Sequence, residues 1–143
     1  MVEDNCLFCR IVSGELPATV VYEDEDSLAF LDHRPLFYGH TLLVPREHVE
    51  TLGDLPAALI APYFKAAQLL SRAVQSGLDA EGTFVAMNNR VSQSVPHLHV
   101  HIVPRHRKDG LKGFFWPRTK YKDEAEMKAV QTKIAAALKK IKT

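Results

Sequence analysis

The sequence predicts an α+β fold: an antiparallel sheet of about five strands, one long central helix and a helix at the carboxyl end. Three observations carry this prediction. Short β-branched or apolar runs are bounded by acidic residues, Gly and Pro; one long stretch has helical apolar spacing; and the lysine-rich end carries an apolar stripe. Strands grouped in runs, interrupted by a single long helix, favour antiparallel pairing over a doubly wound parallel sheet.

Five runs have the character of strands. Three lie in the first third of the chain, over residues 19–23, 27–32 and 41–45, and the acidic link between the first two suits a hairpin. The other two cover residues 83–87 and 98–103 and are separated by a polar loop over residues 88–96. These runs supply the strands of the predicted sheet.

Two helices are predicted from caps and apolar spacing. Asp54 can cap the first helix, its apolar positions continue through residues 57–74, and Gly77 lies where it should stop. Pro62 should kink or restart this helix. The second helix has apolar residues spaced by 4, 4 and 3 on one face, with lysines elsewhere: Val130, Ile134, Leu138 and Ile141.

Length and composition define the class of protein. A chain of 143 residues has the usual length of a single domain, and 46% hydrophobic residues can form a buried core without disulfides. The sequence contains no apolar run long enough to span a membrane, and the acidic residues 1–4 are unlike a signal peptide. We therefore expect a cytoplasmic protein.

The net charge of +1 conceals an uneven distribution. Residues 1–104 carry 6 Lys and Arg against 13 Asp and Glu, whereas residues 105–143 carry 12 against 4. Such a basic segment is typical of a solvated tail or helix face, and secondarily of a segment that attracts a polyanion such as phosphate.

The most informative stretch covers residues 96–104, where His97, His99 and His101 alternate with apolar residues. In a strand these three imidazoles share one face at intervals of about 6.6 Å. The intervening residues share the opposite, core face: Leu98, Val100 and Ile102. Three successive imidazoles are an unusual way to build a solvated surface, so the pattern predicts a chemical role.

Two chemistries fit this pattern. Histidines two residues apart on a strand can converge on zinc, which would make the protein a metal hydrolase with a bound water as nucleophile. Alternatively, one histidine is itself the nucleophile, held in the correct tautomer by a hydrogen bond to its other ring nitrogen. The spacing does not separate them, but Ser92, Gln93 and Ser94 suit phosphate oxygens and favour the second.

Residues 93–101 resemble the signature of the histidine-triad (HIT) family. Segments at residues 6–11, 29–32 and 39–48 resemble the family in the same order, and the resemblance covers roughly residues 6–107. Residues 113–118 are similar to the tails of some bacterial members. The resemblance implies a HIT-like fold, with a catalytic domain over residues 1–107, a basic extension over residues 108–143 packed on the same domain, and a homodimer with sheets paired across subunits.

The resemblance also implies a nucleotide hydrolase or nucleotidyl transferase. Such an enzyme cleaves at the α-phosphate of nucleoside monophosphate conjugates or dinucleoside polyphosphates through a covalent nucleotidyl-histidine intermediate. His99 would attack the α-phosphorus and His101 would contact the phosphate or bridging oxygen. Gln93 and Ser94 would bind the phosphoryl or leaving-group oxygens.

For the rest of a purine nucleotide, the resemblance places Asp32 on the ribose hydroxyls. The base would contact four apolar residues: Phe8, Ile11, Phe30 and Leu42. The loop over residues 88–92 departs from the Gly-rich loop common in the family; Asn88 is assigned there as a substrate contact, and Arg90 can add a phosphate contact. The resemblance gives His40 a structural role.

The two cysteines, Cys6 and Cys9, form a C-x-x-C pair, which in the cytoplasm favours a metal half-site or a redox pair over a structural disulfide. Resemblance to a zinc-binding subgroup implies that His48 and His97 complete the site. Two sulfur and two nitrogen ligands suit tetrahedral structural Zn²⁺. A closed set of four ligands leaves no position for a reactive water.

Two further classes stay open: a nucleotide-binding regulatory module with little turnover, and a zinc-dependent hydrolase that uses the triad as ligands. The expected partners are a purine nucleotide and a second copy of the chain, with neither nucleic acid nor membrane. The residues do not distinguish lysyl-type amidates, dinucleoside polyphosphates and adenylyl sulfate as substrates.

Overall fold

In the computed structural model, residues 3–112 and 117–141 are described. The chain divides into two compact units, Met1–Asp109 and Gly110–Thr143. This division lies two residues beyond the predicted boundary, and the packing of the extension on the domain stays a prediction. The aromatic part of the tail-like segment, residues 113–116, lies outside the described residues. Within the described ranges, no helix is long and apolar enough to cross a membrane.

The first unit contains a five-stranded sheet whose neighbouring strands are all antiparallel, in the order β1-β2-β3-β5-β4. The predicted α+β class is confirmed. The strands, in chain order, are β1 Val20–Glu23, β2 Ser27–Leu31, β3 Thr41–Pro45, β4 Gly82–Ala86 and β5 Val100–Arg105.

The last strand begins later than its sequence pattern predicts. The pattern places residues 98–103 in one strand, but β5 starts at Val100. The Leu98 N–H donates to the carbonyl of Val49, outside the sheet, and the His97 N–H donates to Val95 O. These bonds bend the chain away from the ladder, so that His101 alone of the three histidines is a strand residue.

The described residues form three helices: α1 Leu7–Val12 and α2 Ala57–Gly77 in the first unit, and α3 Glu124–Lys140 in the second. The sequence analysis did not predict α1. The end of α2 at Gly77 is confirmed, and the helix continues through Pro62 without restarting. Asp54 does not cap α2 as predicted, because its carboxylate accepts from the N–H and hydroxyl of Thr51 and closes a short 3₁₀ turn, Leu52–Asp54.

Two apolar clusters lie on opposite faces of the sheet, as the alternation of side chains requires. On one face α2 packs against Leu43, Val100 and Ile102, and the hydroxyl of its buried Tyr63 donates to Leu43 O at 2.8 Å. On the other face α1 packs against a cluster that alternates with the first along β2 and β3: Leu28, Phe30, Leu42 and Val44. His101 pairs with Leu42 and therefore belongs to the α1 face.

The second unit contains the predicted amphipathic helix. Asp123 caps α3 by accepting from the Glu126 N–H at 2.8 Å, and Lys139 and Lys140 lie in its last turn, where the helix dipole favours positive charge. Its apolar stripe is largely exposed in the single chain, with Ile134 at 58% and Leu138 at 65%.

Gly39, directly before His40, provides a test of this fold. Its φ of +101° is one that residues with side chains rarely adopt, and an added Cβ would collide with the Leu78 side chain. We expect Gly39→Ala to lower the free energy of unfolding by about 1–3 kcal/mol. Urea denaturation measures this change.

Gly77→Ala is the matched control. Apart from its chain neighbours and the nearby backbone of α2, no atom of the described residues lies within 4 Å of the Cβ that this change adds, and the position is helical. The control should leave stability unchanged or raise it by up to about 1 kcal/mol. Equal losses in the two variants would contradict the assignment of strain to Gly39.

Candidate active site and metal centre

The three triad histidines lie together beneath α1, at the start of β5. His97 and His99 are buried, at 0% and 3% exposure, and His101 is half-buried. The rings of His99 and His101 meet edge to face with their centroids 4.9 Å apart. The histidines are close enough to act on one ligand, but their hydrogen bonds differ.

The ring of His99 is held by its own chain. Its Nδ1 lies 2.7 Å from the carbonyl oxygen of His97. A carbonyl can only accept a hydrogen bond, so Nδ1 carries the proton and Nε2 keeps its lone pair. Burial lowers the pKa of His99, which keeps the ring neutral at pH 7. His99 therefore presents an unprotonated nitrogen to the site.

A second chain of hydrogen bonds sets the proton on His101. The Leu36 N–H donates to His40 Nδ1 at 3.1 Å, so the proton of His40 is on Nε2. That nitrogen donates to His101 Nδ1 at 3.0 Å, which leaves the proton of His101 on its Nε2. Burial, together with His99 and His40, lowers the pKa of His101 to about 4. His101 is therefore a neutral N–H donor.

His40 thus has an orienting function that the sequence analysis described only as structural. The residue lies one position before Thr41, which pairs with Ile102 of β5. The signal in the sequence for this role of His40 is its place directly before β3, because β3 pairs with β5, the strand that carries His101. Asp32 Oδ2 lies 3.8 Å from His40 Nε2, and these two residues with His101 have the spacing of a metal site. In this cluster His40 Nε2 carries a proton that it donates to His101 Nδ1, so neither histidine directs a free lone pair to a metal between them.

A cavity of about 800 Å³ opens beside His99 and His101. Its volume lies in the usual range for small-molecule sites. The wall is apolar apart from six residues with polar side chains: Thr19, Asp32, His33, Ser94, His99 and His101. The apolar wall includes the four residues assigned to the base and two that the sequence analysis missed: Phe8, Ile11, Phe30, Leu42, Leu7 and Leu16. Such a cavity suits a ligand with one apolar and one charged end.

Asp32 lies at the rim of this cavity on the chain that follows β2. Its Oδ1 accepts from the Arg34 N–H at 2.9 Å, which fixes the carboxylate. The group can still accept hydrogen bonds from a ligand, because each carboxylate oxygen has two lone pairs. Asp32 therefore suits a ligand that carries hydroxyl groups.

Two of the predicted site residues do not line the cavity. The Gln93 amide donates to Glu50 O at 2.7 Å and accepts from the Arg90 N–H at 2.8 Å, so both of its ends hold the loop. Asn88 is half-buried and its amide donates to Ser92 O at 3.2 Å. Arg90 lies 3.5 Å from the Glu50 carboxylate. Ser94 and Val95 are the residues of this loop that line the cavity.

The predicted metal ligands Cys6, Cys9, His48 and His97 come together on the inner side of α1, with all four ligand atoms within 4.8 Å of one another. Cys9 Sγ lies 3.3 Å from His48 Nδ1 and 3.6 Å from His97 Nδ1, and Cys6 Sγ lies 3.4 Å from His97 Nδ1. Zinc bond lengths of about 2.3 Å to sulfur and 2.05 Å to nitrogen give a tetrahedral S···N edge of about 3.5 Å. The cluster fits tetrahedral Zn²⁺.

The protonation of His97 also fits a metal ligand. Its Nε2 donates to Pro45 O at 2.8 Å, so Nδ1, which faces the cysteines, carries the lone pair. Burial lowers the pKa of His97 to about 4, and this keeps the ring neutral. Both cysteines are free thiols, and burial raises the pKa of Cys9. Metal binding would therefore have to displace thiol protons.

Comparison with known proteins gives consistent matches. The sequence model of a family described as "HIT domain" matches residues 13–108. The relative named adenosine 5'-monophosphoramidase hnt1, from Schizosaccharomyces pombe, is 35% identical over 140 residues, which are 94% of this chain and 99% of that protein.

Two solved structures are also similar. A crystal structure of a HIT family member from Bacillus subtilis has a TM-score of 0.84 and 36% identity, and covers 98% of this chain and 99% of that one. A zinc-bound histidine-triad family protein from Mycobacterium smegmatis has a TM-score of 0.71 and 37% identity, covering 93% of this chain and 97% of that one.

The low pKa of His101 predicts a pH dependence of stability. The unfolded chain protonates this histidine near pH 6.5, whereas the folded chain does so only near pH 4. The stability is therefore present above about pH 6.5 and lost as the pH falls toward 4. We expect the His101 contribution to lower the free energy of unfolding by about 1–2 kcal/mol between pH 7.5 and pH 5.

Urea denaturation at both pH values measures this loss. His101→Asn has no ring to protonate and should lose correspondingly less stability over the same interval. Any metal release at pH 5 affects both proteins. The difference between their losses of unfolding free energy therefore measures the contribution of His101 protonation. The same loss in both proteins would contradict the buried neutral state of His101.

Proposed function

Because the chain belongs to the HIT domain family, we propose that it is a nucleotide hydrolase or nucleotidyl transferase in which His99 attacks the α-phosphorus. The observation that carries the proposal is the tautomer of His99. The hydrogen bond from Nδ1 to His97 O leaves the Nε2 lone pair at the wall of the cavity. The relative from S. pombe is named as a monophosphoramidase, which supports nucleoside monophosphate conjugates as the substrate class.

The reaction proceeds in two steps. Nε2 of His99 forms a bond to phosphorus while the bond to the leaving group breaks and the leaving group takes that electron pair. The attacking ring becomes positively charged, and the carbonyl of His97 stabilises this charge because it accepts a hydrogen bond from the Nδ1–H. Water then attacks phosphorus, the P–N bond breaks with its electron pair returning to Nε2 as a neutral imidazole, and the proton that water loses goes to the departed leaving group or to solvent.

His101 and Ser94 stabilise the charge that develops on oxygen. The Nε2–H of His101 donates to a phosphoryl or bridging oxygen, and the hydroxyl of Ser94 lies in the wall of the same cavity. The bond from His40 keeps the proton of His101 on the correct nitrogen. The donor is in place before the charge appears, so the transition state requires little reorganisation.

The remaining parts of a purine nucleotide have matching surfaces. The apolar wall of Phe8, Ile11, Phe30 and Leu42 takes the base, and Asp32 accepts from the ribose hydroxyls. Gln93 and Asn88 remain proposed contacts of the substrate, and their hydrogen bonds also hold the loop that carries Ser94. A dinucleoside polyphosphate would place its first nucleotide in the same way.

Zinc bound by Cys6, Cys9, His48 and His97 would cross-link α1 to the chain around residues 48 and 97. The four ligands close the coordination sphere, so the ion contributes stability and not a reactive water. The zinc-bound relative from M. smegmatis supports this cofactor. A homodimer is part of the proposal, because β1 and β4 are edge strands and an edge can pair with a second copy.

The alternative in which the triad itself holds a catalytic zinc is disfavoured by the hydrogen bonds. The lone pair of His97 faces the cysteines, that of His99 faces the cavity, and that of His101 accepts from His40. Three lone pairs aimed at different partners do not converge on one ion.

The nucleophile is tested with His99→Asn and adenosine 5'-phosphoramidate as substrate. We expect turnover to fall by about three or more orders of magnitude, because no other group replaces the nucleophile, while AMP binding is retained. His106→Asn is the control, because this exposed ring binds Asp79 O and does not line the cavity. Rapid quench of the wild-type enzyme should trap an acid-labile, base-stable nucleotidyl adduct. Near-wild-type turnover of His99→Asn would contradict the covalent mechanism.

The metal proposal is tested by stability. We expect about one zinc per chain by elemental analysis, and we expect chelation to lower the Tm by more than about 5 °C, since the energy of a structural site is folding energy. Without chelator, the double variant Cys6→Ser with Cys9→Ser should already have the lowered Tm of the chelator-treated wild type. Adding chelator should not lower its Tm further. A zinc content far below one per chain, in protein purified without chelator, would contradict the proposal.

A further inference from the structure

We propose that metal binding at Cys6, Cys9, His48 and His97 and nucleotide binding in the adjacent cavity are thermodynamically coupled, so that each ligand tightens the other. The connection runs through α1 and His97. This inference rests on the proposed function, because it takes the cavity as the nucleotide site and the cluster as the zinc site.

Helix α1 carries residues of both sites. Cys6 caps its amino end and Cys9 lies within it, while Leu7, Phe8 and Ile11 line the cavity. The helix has six residues, and a helix this short is not stable by its own hydrogen bonds. Its position therefore depends on what holds its side chains, and the two thiols are its attachment to His48 and His97.

Phe8 connects the metal cluster directly to the nucleophile. Its ring meets the ring of His97 at a centroid distance of 5.9 Å, that of His99 at 5.1 Å and that of Phe30 at 5.4 Å, all edge to face. The side chain is buried, at 5% exposure. A change in the position of α1 therefore changes the wall of the cavity next to His99.

His97 belongs to both sites through different atoms. Its Nδ1 faces the thiols, and its carbonyl oxygen accepts a hydrogen bond from His99 Nδ1–H. The peptide that contains this carbonyl is held further by the Leu98 N–H, which donates to Val49 O at 2.8 Å. Fixing the ring of His97 by a metal therefore also fixes the carbonyl that orients the nucleophile.

The energetic consequence follows from preorganisation. A bound metal orders α1 and His97 before the nucleotide arrives, so that the nucleotide loses less of its binding energy to ordering them. Linkage requires the reverse effect of the same size: a nucleotide that holds α1 in place increases the affinity for metal. We expect a coupling factor of about tenfold, in the usual range for linked sites.

The experiment measures the affinity of the wild-type chain for Zn²⁺ by competition with a chromophoric chelator, alone, with saturating AMP and with saturating ribose 5-phosphate. AMP should tighten zinc by about tenfold. Ribose 5-phosphate has no base to contact α1, so it should increase the affinity for Zn²⁺ several-fold less than AMP does. Calorimetry with AMP on zinc-loaded and zinc-free protein should give the same factor as AMP gives for zinc.

Phe8→Leu separates local coupling from a general effect of ligands on folding. Leucine keeps an apolar side chain on α1 but lacks the ring contacts to His97 and His99, so zinc should still bind while the effect of AMP falls to within about twofold. Phe64→Leu is the matched control: this residue lies on α2, is 41% exposed and is not part of the cavity wall, so the full coupling should remain.

The outcomes are distinguishable. If zinc-loaded protein binds AMP but AMP leaves the zinc affinity unchanged, the coupling is overturned while the proposed function stands. If zinc-loaded protein does not bind AMP, the proposed function itself fails. Unchanged coupling in Phe8→Leu, or equal effects of AMP and ribose 5-phosphate, would overturn the connection through α1.

Discussion

The hydrogen bond from His99 Nδ1 to the carbonyl of His97 is the interaction on which the rest of the site depends. A neutral imidazole has one proton and one lone pair, and this bond decides which nitrogen carries each. It can form because the chain bends at residues 97–99, where the Leu98 N–H bonds to Val49 O before β5 begins. An uninterrupted ladder would have used these backbone groups for strand pairing.

Burial and the Asp32 carboxylate have opposite effects on the pKa of His99 and His101, and burial dominates. The Asp32 carboxylate raises the pKa of His99 and His101. Burial lowers both pKa values by more, so that both lie below the usual value for histidine. The neutral state matches the proposed chemistry, because a protonated His99 would have no lone pair. Backbone and histidine acceptors therefore position the protons without adding charges to the cavity.

The two faces of the sheet have different roles in the fold. The face covered by α2 supplies the larger apolar core and anchors β3 through Tyr63 and Leu43 O. The face covered by α1 holds the thiols, the histidines and the cavity wall in one layer. Because α1 is short, the stability of this layer comes from side-chain contacts, including those of Cys6 and Cys9 with His48 and His97, rather than from the helix itself.

The sequence by itself determined the long helix, the carboxyl-terminal helix and the strands except for the start of β5, because these depend on local spacing and residue type. Only the tertiary structure decided the tautomers, the use of the Gln93 amide within the loop and the orienting role of His40. The deciding partners are distant in sequence: His40 bonds to His101 and His97 to Pro45. A pattern of neighbouring residues specifies which side chains share a face, but a proton's position depends on the acceptor that folding brings to it.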